Sequence, residues 1–281
     1  MLTVAQPTVP ETIVGLGSDW LLYASLSGGY SRSEMLSPAL VIAPSNAPVQ
    51  IAVDDLLPRT SPMFFHAAGK WSSAKSSFIA ILYCDPMTEA GMVVHRNARA
   101  ALAPWRTVFD HGAVLRGLLT SASATPTSVE SWVQRVRDGL FADELVRPTV
   151  DPRLLVAAQY IGANPEGRLA AEALSRESGL SAVHLRQLFR RSTGMTLSRY
   201  QVWQRFRSMT STACITSRHR HSVQASQALH DAGFFDMPHG TRALQRFLGM
   251  TPKAALSPEI QFIDCRRNGV EALGTSRRSG S

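Results

Sequence analysis

One short pattern is written twice in the second half of this chain. Gly179-Leu180-Ser181 separates two stretches of helical apolar spacing, and Gly194-Met195-Thr196 closes the second of them. Ala232-Gly233-Phe234 and Gly249-Met250-Thr251 repeat the arrangement, with Asp236 in the capping role of Ser181. Glycine permits the left-handed backbone of a tight turn, and the Leu or Phe beside it plugs the space between two helices. The Ser or Asp then accepts from the free N–H groups that open the next helix. A duplicated unit constrains the fold more than a lone one, because the same small module must form twice.

In the first unit a helix over Leu169–Ser178 presents Leu169, Ala170, Ala173 and Leu174. The next, over Ala182–Ser192, turns Leu185, Leu188 and Phe189 inward and leaves Val183, Arg186, Gln187, Arg190 and Arg191 outside. In the second unit a helix over Gln224–Asp231 precedes one over Asp236–Leu248. There Leu244, Phe247 and Leu248 face inward and His239, Arg242 and Arg246 project. Helix, turn and capped helix with a cationic outer face form a helix-turn-helix pattern. Tyr200, Trp203, Phe206 and Met209 lie along a helix between the units. Asp151-Pro152 opens a further helix ahead of them, with Leu154, Leu155, Ala158 and Ile161 on one face.

Charge is divided unevenly along the 281 residues. Up to Asp151 there are 11 Lys+Arg against 13 Asp+Glu; from Pro152 onward there are 18 against 8, which makes the formal net charge +8. Of those 18 cations only Lys253 is a lysine. The arginine fork suits bidentate contact with phosphates and guanine edges, although a basic face with no polyanion partner has the same composition. The apolar run Phe78–Cys84 is far too short for a bilayer of about 30 Å. Met1–Pro10 carries no secretion pattern, and Cys84, Cys214 and Cys265 fit neither a disulfide framework nor a zinc site. A cytoplasmic protein with reduced thiols and no membrane contact is expected.

Between Leu16 and Pro104 short apolar runs alternate with Gly, Pro, Ser and Asn, as in Leu40–Ala43, Val49–Val53, Met63–Phe65 and Phe78–Tyr83. These read as strands of a barrel or sandwich. Ser128–Glu144 turns helical, with Trp132, Val133, Val136, Leu140 and Phe141 on one stripe. That stripe either packs on its own barrel or pairs two chains. Arg147–Pro152 reads as a linker, and Arg266–Ser281 as a mobile basic tail.

The segment Gly179–Arg191, Gly194-Met195-Thr196, Ala232–Asp236, His239, Arg242 and Gly249-Met250-Thr251-Pro252 resembles the AraC/XylS family of bacterial transcription regulators. The resemblance runs from about Leu154 to Ala255. It implies two helix-turn-helix subdomains joined by a long helix, whose recognition helices enter successive major grooves about 34 Å apart. By that match Val183, Arg186 and Gln187 face bases in the first unit, as do Met237, His239 and Arg242 in the second. Ser181, Arg190, Arg191 and Arg246 face phosphates. Gly240 departs from the family, which usually has a buried aromatic or leucine there; a void in its place would cost ~3 kcal/mol. Pro238 is tolerated because it falls in the first helical turn.

The β-rich part resembles the family's cupin-type sensor domains, through Ala68–Trp71 and Ile79–Pro86. A small-molecule effector is then expected among Phe65, His66, Trp71 and Tyr83, residues that read equally well as core or rim. The fold expected is multidomain α+β: a cupin-like sensor over 1–127, helix and linker over 128–151, an all-α double helix-turn-helix domain over 152–258, and a mobile basic tail over 259–281.

The function expected is sequence-specific binding of double-stranded DNA, with RNA polymerase and a second copy of the chain as further candidate partners. Neither cofactor nor metal is expected. One rival is a regulator that acts through protein contacts with a degenerate DNA domain. The other is a metal-dependent cupin enzyme, which needs clustered histidines where His66, His95 and His111 are scattered; no enzyme is expected. At single positions the alternatives stay open. Arg186 and Gln187 also read as a solvated face, Val183 as packing or a thymine-methyl contact, and His184 as structural or phosphate-facing. His239 reads as a cap, a phosphate contact or a base contact, and Arg218–His221 as a basic loop rather than a metal site.

Overall fold

The computed structural model describes residues 10–54, 56–98, 102–142, 147–167, 171–218 and 224–266. Expectations for His219–His221 and for the tail beyond Arg266 lie outside the described residues, as do Leu169 and Ala170. Nine strands come first: β1 Thr12–Leu16, β2 Trp20–Ser25, β3 Gly29–Glu34, β4 Ala39–Ile42, β5 Val49–Val53, β6 Arg59–Ser61, β7 Met63–His66, β8 Trp71–Lys75 and β9 Ile79–Cys84. Helix α1 (Glu89–Asn97), strand β10 (Leu102–Pro104) and helices α2 (His111–Thr120) and α3 (Pro126–Ala142) follow.

Two sheets face each other. One has the order β10-β7-β4-β9-β2-β1 with a further strand beside β1, and the other β3-β8-β5-β6. The small sheet alternates, as in β5, where Val49, Ile51 and Val53 are buried and Gln50 is exposed. The large sheet is covered on both faces. Every residue of β9 is buried: Ile79, Ile81 and Tyr83 face the small sheet, while Ala80, Leu82 and Cys84 meet α1, α2 and α3. A continuous apolar run is what a strand between two apolar layers requires. The helical stripe Trp132, Val133, Val136 and Leu140 is spent on this second layer, so it packs on its own sheet.

Two expectations are corrected. The stretch read as strands up to Pro104 contains helix α1. Thr88 caps it by accepting from the Gly91 N–H at 3.2 Å, and Ala90, Val93 and Val94 recur at helical spacing. The tail placed from 259 begins instead with strand β11, Ile260–Asp264, which pairs parallel with β1 in the register Thr12 with Ile260 to Leu16 with Asp264. Its β-branched and aromatic residues satisfy the open edge of β1 and bury Ile263 and Cys265.

The helical part comprises α4 (Pro152–Ala163), α5 (Ala171–Ser178), α6 (Ala182–Thr193), α7 (Leu197–Arg218), α8 (Ala225–Asp231), α9 (Met237–Leu248) and α10 (Pro252–Ala255). Asp151 caps α4 ahead of Pro152. The buried face of α4 is Leu154, Ala157, Ala158 and Ile161; Leu155 stands one position off that stripe and is exposed. Because β11 follows α10, the C-terminal end of the helical part is tied into the large sheet. Its core is also continuous with the sandwich interior, since Phe64, Ile81 and Tyr83 belong to the same apolar cluster as Trp203, Phe206 and Phe247.

Candidate nucleic-acid interface

Each repeated pattern folds as a helix pair. Between α5 and α6, Gly179 has φ +66° and Leu180 is buried. The Ser181 hydroxyl accepts from the His184 N–H at 3.3 Å. Between α8 and α9, Gly233 has φ +83°, Phe234 is buried, and Asp236 accepts from the His239 N–H at 2.6 Å. A side chain is excluded at Gly233 twice over, because a Cβ there would lie 2.4 Å from the Glu166 backbone. Gly194 and Gly249 end α6 and α9 in matching left-handed caps, donating to the carbonyls of Arg190 and Gln245.

The faces divide as the spacing predicts. On α6, Leu185 and Phe189 are buried and Leu188 is half-buried, while Arg186, Gln187, Arg190 and Arg191 are exposed. Val183 is 61% exposed, which excludes packing as its role. Ser181 and His184 are also at the surface. On α9, Leu244 and Phe247 are buried, and Met237, Pro238, Arg242 and Gln245 are exposed. The ring of His239 leans on Phe234, edge to face at 5.7 Å, so this half-buried histidine is partly structural.

Helix α7 joins the pairs through edge-on aromatic contacts, Tyr200 with Phe189 at 5.4 Å and Phe206 with Phe234 and Phe247 at 5.8 and 6.0 Å. Gly240 leaves no void. A Cβ there would meet the Leu229 side chain at 2.8 to 3.2 Å, so Leu229 of α8 already fills the space. That removes the feature on which a degenerate second unit rested.

Arg246 is placed differently from a free phosphate-facing group. It pairs with the carboxylate of Glu34, at the end of β3, and Arg199 of α7 pairs with the other oxygen of the same carboxylate. Arg199 also donates to the Met35 carbonyl at 3.3 Å. One stripe of α7, at four-residue spacing, docks the sandwich. Arg199 meets β3, the Trp203 indole N–H donates to Asp85 at 3.3 Å, and Arg207 donates to the carbonyls of Gly17, Ser18 and Trp20. Burial raises the Asp85 pKa and lowers that of Arg207. The end of α6 also touches the sandwich side, where the ring of His95 on α1 meets the Arg191 carbonyl. Sequence reasoning missed this docking stripe, whose signal was the Arg-Trp-Arg spacing.

The four expected effector residues do not converge. His66 and Tyr83 both pair with Ala39 and share the interior face of the large sheet. Phe65 points to the opposite face and packs on Trp105 at 5.3 Å. Trp71 lies on the small sheet under the Arg32 guanidinium, beside Asp54. His66 is fully buried, its Nδ1 against the Ala67 carbonyl at 2.9 Å, and burial lowers its pKa to about 4. A separate cleft lies between the sandwich and α9, lined by Tyr23, Tyr30, Tyr83, Phe247, Leu248 and Met250. His95 and His111 stand apart from His66, and His111 stacks on Trp105. Among the described residues no three His, Cys, Asp or Glu side chains form a metal-binding group. Nor is any helix among them long and apolar enough to cross a membrane.

A two-sheet sandwich carrying such a helical part is a fold known from AraC-family transcriptional regulators. The particular neighbour is ToxT of Vibrio cholerae. An apo single-residue variant aligns over 86% of this chain and 98% of its own, with TM-score 0.60 and 10% identity. The form bound to an unsaturated fatty acid aligns over 86% and 96%, with TM-score 0.55 and 11% identity. CuxR, an AraC-like transcriptional activator, aligns over 67% of this chain and 76% of its own, with TM-score 0.34 and 18% identity. No protein-family model matches the sequence, and no curated protein does.

Proposed function

We propose that this protein is a sequence-specific DNA-binding transcription regulator with two helix-turn-helix units, reading successive major grooves with α6 and α9. The observation that carries the reading is the repetition itself. Two capped helices, each after a glycine turn, present Val183, Arg186 and Gln187 on one and Met237 and Arg242 on the other. Base-edge contacts from these residues choose the sequence, while Arg190 and Arg191 supply phosphate contacts and most of the salt dependence. The fold shared with ToxT supports the same reading, and the sandwich then corresponds to a cupin-like sensor domain.

ToxT has been seen with an unsaturated fatty acid, and an amphiphile of that kind is proposed as effector here, in the tyrosine-lined cleft against α9. The cleft holds about 40 Å³ of free space, against the ~300–1,000 Å³ of a ligand pocket. An effector therefore enters only by parting α9 from the sandwich. Mobility-shift assays on genomic fragments, at low and high salt and with or without oleate, test both statements. Saturable, salt-sensitive binding to a subset of fragments, altered by oleate, is expected. Absence of DNA binding at low salt overturns the regulator reading, and indifference to oleate overturns the effector.

A further inference from the structure

Arg246 follows Arg191 at the spacing that separates the two Gly-Met-Thr closures, so the two arginines occupy equivalent places on α9 and α6. Their surroundings differ. Both are exposed, Arg246 with 53% of its side chain, but Arg246 alone is held by a carboxylate, Glu34, which is itself only 3% exposed and is shared with Arg199. Both guanidiniums also lie over the Phe247 ring, each 5.3 Å from its centroid. A buried carboxylate needs full pairing, and two arginine forks provide it.

From this geometry we infer that Glu34 is an internal surrogate for a DNA phosphate. It occupies the anion position of α9, keeps Arg246 from the backbone of a bound duplex, and latches the second recognition helix onto the sandwich. The inference rests on the proposed DNA-binding function and adds to it a device that restrains one of the two readers. Its chemistry is exchange of one oxyanion for another. A phosphate that takes Arg246 must displace the Glu34 carboxylate, and Arg199 then remains as that carboxylate's partner, through its own ion pair and its bond to the Met35 carbonyl. The apolar cleft beside β3 and α9 opens in the same movement, because Phe247 and Leu248 form its wall.

The test is fluorescence anisotropy of the full chain with a short random-sequence duplex, whose binding reports phosphate contacts alone, across 50–200 mM salt. Glu34→Gln is expected to bind about eightfold more tightly near 0.1 M salt. The slope of log K against log salt should steepen by about 0.9, the signature of one added phosphate contact. Arg246→Ala alone is expected to leave binding unchanged, and Glu34→Gln with Arg246→Ala to return to the wild-type slope. A folded Glu34→Gln protein with wild-type affinity and slope overturns the latch, as does a loss of binding in Arg246→Ala alone. If Glu34→Gln does not fold, hydrogen exchange of the wild-type chain decides. Amides of β3 and of the last turn of α9 should lose protection on saturation with duplex, and unchanged protection overturns the inference. If wild type and variants alike fail to bind duplex at low salt, the DNA-binding function falls, and the latch with it. Binding by wild type without the Glu34→Gln gain removes the latch alone.

Discussion

Gly240→Leu separates a filled site from an empty one by the sign of its effect. Aligning the two turn glycines equates Ser175 with Leu229, and aligning the two closing glycines equates Leu185 with Gly240. By this alignment a small residue and a leucine in the first helix pair correspond to a leucine and a glycine in the second, where the two are in contact. At Gly240 even a methyl group would stand 2.8 Å from the Leu229 Cδ1, and Leu229 is 1% exposed. Replacing glycine inside a helix gains ~1 kcal/mol of propensity. Forcing a whole isobutyl group into filled space costs about 1–3 kcal/mol, and the crowding here puts the cost at the upper end. The net effect is a loss of roughly 2 kcal/mol, or about 4–8 °C in Tm for a chain of this size. Thermal unfolding followed by circular dichroism measures it. Gly240→Leu combined with Leu229→Ser, which restores the pairing of the first unit, should recover most of the loss. A rise in Tm for Gly240→Leu alone would refute the reasoning, because only an unfilled cavity returns energy when it is filled.

Three further outcomes are expected. On the preferred operator Arg186→Ala should cost about 1–3 kcal/mol and relax discrimination at one base pair, whereas Arg190→Ala should weaken all sequences and flatten the salt slope by about one; identical behaviour of the two overturns the assignment of faces. His66 has its folded pKa lowered to about 4 by burial, so the unfolded chain binds the extra proton. Its stabilisation is complete above about pH 6.5 and is lost as pH falls towards 4, by roughly 3 kcal/mol. His66→Gln should flatten the Tm profile in that window, and an unaltered profile counts against the role of His66. Ending the chain after Pro258 removes β11 and the buried Ile263. A loss of at least ~2 kcal/mol and faster proteolysis are expected; an unchanged Tm contradicts the pairing with β1.

What was legible in the sequence is what local physics decides. The limits of α6, α8 and α9 follow from capping residues, closing glycines and apolar spacing within a dozen positions, and the structure keeps them to within a residue. The misreadings came from long-range partners. Nothing near Ile260–Asp264 shows that an open sheet edge waits at Thr12–Leu16, more than two hundred residues earlier. The Ala-Gly-Met-Val-Val run of α1 looks like a strand until Thr88 is recognised as its cap. Grouping Phe65 with His66 in one pocket was avoidable, since neighbours on a strand point to opposite faces. Separating Trp71 from both required knowing that it belongs to the other sheet.

The arginine excess of the second half also has two explanations, and the structure divides them. Arg186, Gln187, Arg190, Arg191 and Arg242 form the exposed polar faces of α6 and α9. Arg199, Arg205 and Arg207 work inside the fold. Arg205 donates to the Pro165 carbonyl at 2.7 Å, and Arg207 reaches three carbonyls around the turn between β1 and β2 while lying over Trp203. A lysine offers one point charge and no planar fork, so it cannot stack on the indole and serve those acceptors together. The scarcity of lysine after Pro152 therefore has a basis in domain docking that is independent of any phosphate contact. On the proposed DNA-binding function, a salt slope calculated from the net charge of this half would overstate the number of phosphates engaged. On that reading the other exposed arginines of α6 and α9 set the slope, and in the proposed latch Arg246 joins them when Glu34 lets go.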